Sequence, residues 1–240
     1  MGLDIKFGNL ADALEQLYSS TGDPSILVRN GRKVIKAAIQ KQVGHPVSLA
    51  EKRVPRELRD PIRFGNYFQI HVLRAYASRV AGYTLEKAYS IPELYVSASS
   101  AVISEPKSTV ETQGTAEDEI ENEIQQLWKI RLDDVVPLAQ PRITPFPYQQ
   151  LVCFSDTEGL YLPVDFPVPL VLDGLHIGSS VMLLRELRAV QRCLHRTNLV
   201  VSRRGPKGAK DFVEAVRLAW MKIHRPCQAS AKGGWPLVFV

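Results

Sequence analysis

The sequence is poor in cysteine. Its three residues, Cys153, Cys193 and Cys227, are far apart, and no two of them have C-x-x-C spacing. An odd set of widely separated thiols does not form a disulfide framework, which excludes the small disulfide-rich secreted proteins. Such cysteine usage is typical of a reducing compartment, and we expect the protein to be cytoplasmic.

Long hydrophobic runs are also absent. No uninterrupted apolar stretch approaches the ~20 residues that a membrane-spanning helix needs. The most apolar region, residues 160–172, is interrupted by three prolines and an aspartate. The N-terminal residues lack the basic segment followed by an apolar segment that marks a secretory signal. We therefore expect neither insertion into a membrane nor export through such a signal.

The sequence lacks the common catalytic and cofactor motifs. It contains no G-x-S-x-G, H-E-x-x-H or G-x-G-x-x-G, and no glycine-rich loop carries the lysine of a phosphate-binding loop. We therefore expect no cofactor. A protein that is not an enzyme is the better interpretation, although an enzyme with an unfamiliar site is not excluded by motifs alone.

What is present is a pattern of apolar residues that predicts an α+β or α/β fold. Helical spacing dominates the N-terminal half, over residues 10–17, 31–43 and 64–81. The C-terminal half predicts a small mixed sheet with at least two helices packed on it. Its expected elements are a hairpin (150–154 and 160–164), a helix from Ser179 or Ser180 to His195, a strand at 198–202, a helix at 209–224 and a strand at 236–240.

Composition predicts three regions along the chain. Residues 1–103 form a mainly helical region, and residues 119–240 form a mixed α/β region. Residues 104–118, which are rich in Ser, Thr and Glu, are expected to form a flexible linker or loop.

Charge is strongly segregated along the chain, although the net charge is only +5. Residues 104–134 contain 9 acidic and 3 basic residues, whereas residues 174–232 contain 12 basic and 3 acidic residues. Such blocks indicate interaction surfaces of opposite sign.

The basic block contains the main candidate binding surface. Four arginines recur at intervals of three or four, which places them on one face of the helix, opposite an apolar face. Four further basic residues follow in the next segment, and guanidinium groups suit both phosphate and carboxylate partners. The set is Arg185, Arg188, Arg192, Arg196, Arg203, Arg204, Lys207 and Lys210.

Three carboxylates form a second candidate site. Asp156, Glu158 and Asp165 lie in a stretch without Lys or Arg, and carboxylate oxygens are ligands for Mg²⁺. The alternative is turn formation, because Asp favours the start of a turn and Gly159 its left-handed position. A metal site is the less favoured interpretation.

These observations lead to three functional hypotheses. The leading one is a non-enzymatic binding protein that engages a protein partner through segregated charged surfaces. The alternative is binding of nucleic acid or another anion through the basic helix and loop, and the second alternative is a metal-dependent hydrolase. The first two require the arginines to lack carboxylate partners within the monomer, and the sequence does not indicate the oligomeric state.

Overall fold

The structure is a computed structural model, and it describes residues 3–19, 24–49, 52–65, 67–82, 94–98, 103–104, 116–136, 149–152 and 159–239. Within these residues a single mixed sheet is covered by helices on both faces, which confirms the predicted α+β class with helices packed on a mixed sheet. No helix in these ranges is both long enough and apolar enough to cross a membrane.

Eight α-helices and eight strands are described. The helices are α1 (Leu10–Tyr18), α2 (Pro24–Val43), α3 (Phe68–Ala81), α4 (Ala116–Trp128), α5 (Leu132–Val135), α6 (Gln149–Val152), α7 (Ser180–Arg204) and α8 (Ala209–Gly233). The strands are β1 (Leu3–Phe7), β2 (Ile62–Gly65), β3 (Leu94–Val96), β4 (Ile103–Ser104), β5 (Gly159–Leu162), β6 (Leu170–Leu172), β7 (Leu175–Ser179) and β8 (Leu237–Phe239).

The strand order in the sheet is β2-β1-β8-β5-β7-β6-β3-β4. The pairs β5–β7 and β3–β6 are parallel and the other neighbours are antiparallel. The sheet thus contains strands from the predicted helical region as well as from the predicted mixed region. The division at 103 and 119 remains a prediction, and most of the predicted linker lies outside the described residues.

Alternating side chains along the strands build two cores. Leu160 and Leu162 of β5 lie in the core beneath α1 and α2, whereas Tyr161 lies in the core shared with α3, α7 and α8. The two-residue period of a strand sends neighbouring side chains to opposite faces, so both faces of the sheet are buried.

The longest helices, α7 and α8, pack against each other on one face of the sheet. The Ser179 hydroxyl caps α7 by accepting a hydrogen bond from the Met182 amide at 3.0 Å. Apolar residues at helical spacing then bury one side of α7. The sequence predicts this cap and this buried side correctly.

The predicted strand at residues 198–202 is wrong, because these residues belong to α7. The run Leu199-Val200-Val201 favours a strand locally. However, Val201 is buried and follows the buried Leu194 by seven residues, so the helical period of the apolar face continues. Tertiary packing therefore overrides the local preference.

The predicted hairpin is also wrong in its first arm. Residues 150–152 form the short helix α6, and residues 153–158 lie outside the described residues. The second arm is present as β5, which pairs with β7 and β8. Hydrogen bonds from residues far away in the sequence stabilise α6. A local pattern of apolar residues cannot predict such contacts.

Candidate functional site

The arginines of α7 lie where the sequence predicts them, on the side of the helix opposite the buried face. Arg185, Arg188, Arg192 and Arg196 are all exposed. The first of them has an internal partner: Arg185 donates to the Asp165 carboxylate at 3.0 Å, within an ion pair of 2.6 Å. Part of the predicted basic surface is therefore neutralised by the protein itself.

The remaining basic residues have no carboxylate partner within the described chain. Arg188, Arg192, Arg196 and Arg203 are exposed and form no ion pair there, and the Arg204 side chain lies outside the description. Lys207 and Lys210 are also exposed, on either side of the start of α8. Among the described side chains of this set, Arg185 has an internal carboxylate partner, whereas Arg188, Arg192, Arg196 and Arg203 form no ion pair with another described residue.

The segment between α7 and α8 is a tight turn of residues 205–208. The Gly205 amide donates to the Val201 carbonyl at 2.9 Å, and the Ala209 amide donates to the Pro206 carbonyl at 3.1 Å. Gly208 has a φ of 87° and lies directly against the backbone of Trp128, at the end of α4. The basic turn and the acidic helix α4 are therefore neighbours at one end of the molecule.

The acidic block forms a surface on α4 and α5, which we call the acidic surface. Trp128 anchors it, because its ring stacks on Phe68 at 5.8 Å and meets Phe212 edge-on at 5.5 Å. Ile124 is fully buried behind it. The acidic surface comprises Glu121, Glu123, Asp133 and Asp134.

The carboxylates of the acidic surface differ in how far they are neutralised. Asp133 accepts from the buried Arg79 at 2.8 Å but keeps 58% of its side chain exposed. Glu123 and Asp134 are exposed and have no cation partner among the described residues. The surface is therefore held in place on its inner side and carries uncompensated negative charge on its outer side.

The three metal candidates are not brought together within the described chain. Asp165 is engaged by Arg185, whereas Asp156 and Glu158 lie outside the described residues. In the part of the chain that the structure describes, no group of three His, Cys, Asp or Glu side chains could hold a metal ion.

Sequence reasoning missed a buried polar arrangement around α6. The Glu186 carboxylate accepts from the amides of Gln150 and Leu151 at 3.0 and 2.8 Å, at the start of α6. Arg74 donates to the Val152 carbonyl at the other end. These contacts satisfy backbone groups at both ends of α6. The sequence signal for this arrangement is Arg74, a charged residue within the apolar pattern of α3.

We expect protein stability to fall with rising pH because of Glu186. Burial raises the pKa of its carboxyl to about 8, against the opposing effect of the two amide hydrogen bonds. Between the ordinary pKa and about 8, the folded protein keeps a proton that the unfolded chain releases. The free energy of unfolding should therefore decline over this interval by a few kcal/mol. Urea unfolding at pH 5 and pH 8 measures the decline.

The variant Glu186→Gln isolates this contribution, since an amide does not titrate. We expect its stability to change less between pH 5 and pH 8 than that of the natural protein. Glu15→Gln, at an exposed position of α1, is the control and should keep the full decline. Equal pH dependence in all three proteins would contradict the assignment to Glu186.

Comparison with known proteins yields one match. A family model described as "Putative DNA-mimic protein" matches residues 1–239. No curated protein and no solved structure matches the chain.

This match contradicts the prediction that the basic surface binds nucleic acid, and it agrees with the prediction of a protein partner. The predicted alternative, binding of nucleic acid through the basic helix and loop, is wrong, because a protein that takes the place of DNA is bound by the proteins that bind DNA. The match gives no support to the metal-dependent hydrolase. The family implies a protein partner of a defined kind, a DNA-binding protein.

Proposed function

Because the chain belongs to this DNA-mimic family, we propose that it binds a DNA-binding protein and presents its acidic surface where that partner would hold a DNA backbone. The observation that carries the proposal is the exposed and uncompensated negative charge at Glu123 and Asp134. Lysine and arginine side chains that bind phosphate form the same charge-assisted hydrogen bonds with carboxylates.

The density of charge along α4 supports the proposal. This helix has 13 residues, of which five are acidic and none is basic. A helix of this length is ~20 Å long at about 1.5 Å per residue. One DNA strand carries about six phosphates over the same distance, at roughly 3.4 Å per phosphate. The sequence of α4 therefore has nearly as many acidic residues per unit length as one DNA strand has phosphates.

The positive net charge of the whole protein does not oppose this function. At physiological salt, interactions between exposed charges are screened over about 8 Å. A partner seated on α4 therefore responds mainly to the local carboxylates. Most of the net positive charge lies in residues 174–232, of which the turn at Gly208 meets α4 at its Trp128 end. A DNA-like surface and a basic surface can coexist on one protein for this reason.

Release of proteins from immobilised DNA tests the proposal. DNA-binding proteins of the source cells are retained on duplex DNA-cellulose, and the purified DNA-mimic protein is added in increasing amounts. We expect it to release a specific retained protein by occupying the DNA-binding site of that protein. The displaced protein is then purified and titrated against labelled duplex, with and without the protein. The competition should weaken with salt, as phosphate binding does.

A matched pair of variants locates the surface. Glu121→Gln, Glu123→Gln and Asp134→Asn together remove three charges from the acidic surface, and we expect at least ~tenfold weaker competition. Glu15→Gln, Glu57→Gln and Asp60→Asn remove three charges from exposed positions elsewhere and should leave it unchanged. Equal competition by both variants, or binding of the protein itself to the duplex, would argue against the proposed function.

A further inference from the structure

The second half of α7 exposes apolar side chains between its arginines. Leu199 and Val200 have 49% and 66% of their surface exposed. At a helical period they lie on the same side of α7 as the basic residues that precede and follow them. We call this face the arginine–leucine stripe; it consists of Arg192, Arg196, Leu199, Val200 and Arg203.

The stripe is unfavourable in an isolated monomer. Arg192 and Arg196 are four residues apart on one helix face, and like charges at this spacing repel. Neither they nor Arg203 forms an ion pair within the described residues. Leu199 and Val200 add exposed apolar area in the same place. A partner that matches the stripe must bring carboxylates and an apolar side chain together.

The acidic helix α4 has both features. Glu123 and Leu127 are four residues apart on α4 and are both exposed, Leu127 by 61% of its surface. All the other charged residues of α4 are acidic. The 13 residues of α4 and the 12 residues from Arg192 to Arg203 also form helical segments of similar length, ~18–20 Å.

We propose that the arginine–leucine stripe is a docking surface for α4 of a second copy of this protein. Each copy carries both surfaces, so a two-fold dimer makes the same contact twice. Such a dimer leaves neither surface unoccupied. Glu123 of one copy faces the arginines of the other, while Leu127 covers Leu199 and Val200. Association through such surfaces weakens with salt.

Sedimentation velocity over a range of protein concentrations tests the proposal. We expect the natural protein to form dimers that dissociate on dilution and in high salt. Two variants reverse the charges, Arg196→Glu with Arg203→Glu on the stripe and Glu123→Lys on α4. Each alone should raise the dimer Kd at least ~tenfold. An equimolar mixture of the two should restore the dimer, because both contacts then join opposite charges.

The control is Arg225→Glu with Lys232→Glu, which changes the net charge as much as the stripe variant does, at exposed positions of α8. It should dimerise like the natural protein. The proposal is overturned if the natural protein is monomeric at every concentration, if the control loses the dimer equally, or if the mixture fails to restore it. Binding of nucleic acid by a monomeric natural protein, lost in the stripe variant, would overturn it too.

The experiment uses the purified protein alone and does not depend on a DNA-binding partner. A failure to dimerise therefore leaves the proposed function untouched, and a failure of DNA competition leaves the dimer untouched. If both proposals hold, dimer formation and partner binding compete for α4, so the fraction of protein able to bind its partner falls as its own concentration rises.

Discussion

Alanine at Gly208 is expected to destabilise the protein by ~3 kcal/mol or more. Gly208 has a φ of 87°, a conformation that side-chain-bearing residues rarely adopt. A Cβ atom there would also lie 1.8 Å from the Trp128 carbonyl oxygen. Because that oxygen belongs to the backbone, relief requires the turn to move away from α4. Urea unfolding of Gly208→Ala and of the natural protein measures the loss.

Gly174→Ala separates the two causes. Gly174, in the turn between β6 and β7, has a φ of 94°, but no atom lies within 4 Å of a Cβ atom built there. Gly174→Ala should therefore lower the free energy of unfolding only through backbone strain, by about 1 kcal/mol. Equal losses in the two variants would mean that the contact with Trp128 contributes nothing.

Leucine at Arg74 is the second change with a large expected effect. Arg74 is 1% exposed, and its guanidinium donates to the Val152 carbonyl from Nε at 3.0 Å and from Nη2 at 2.5 Å. Removing it leaves the end of α6 without these buried donors. We expect the free energy of unfolding to fall by ~1–3 kcal/mol, as for a buried acceptor that loses its donors. Thermal unfolding monitored by circular dichroism measures it.

Two further variants test this explanation. Arg74→Lys keeps the charge but cannot reproduce the planar pair of donors, so an intermediate loss is expected. Arg217→Leu removes an exposed arginine from an ion pair with Glu214, and it should cost less than ~1 kcal/mol. A loss at Arg217 as large as that at Arg74 would indicate a general effect of removing arginine.

Sequence reasoning succeeds in this protein where a helix is determined by its own residues. At the start of α1, the Asn9 side chain accepts from the Asp12 amide at 2.7 Å, a contact between residues three apart. The apolar period and the Ser179 cap likewise locate the start of α7. These signals act between residues three or four apart, so they are visible in the sequence.

The same reasoning fails where distant residues determine the structure. Residues 150–152 are apolar enough for a strand, yet Glu186 and Arg74 hold them as a helix from opposite ends. The sheet order is a further case, since β1 pairs with β8 across most of the chain. Such contacts depend on the completed fold, and no local pattern records them.

The candidate surfaces were foreseen in part. The exposed side of α7 follows from the spacing of its arginines, and the acidic block is visible from composition. The pairing of Arg185 with Asp165 was not foreseen, because it joins the start of α7 to the segment between β5 and β6. The exposure of Leu199 and Val200 was missed because those residues were assigned to a buried strand.

The position of β8 also has a consequence for how the protein is made. Among the described strands, β8 lies between β1 and β5, and its three residues join the β2–β1 pair to the others. The ribosome produces β8 after these other described strands. Until then β1 and β5 each offer an unpaired backbone edge to other nascent chains. Slow elongation near this point would prolong that exposure, so yield in cells should respond to chaperone supply.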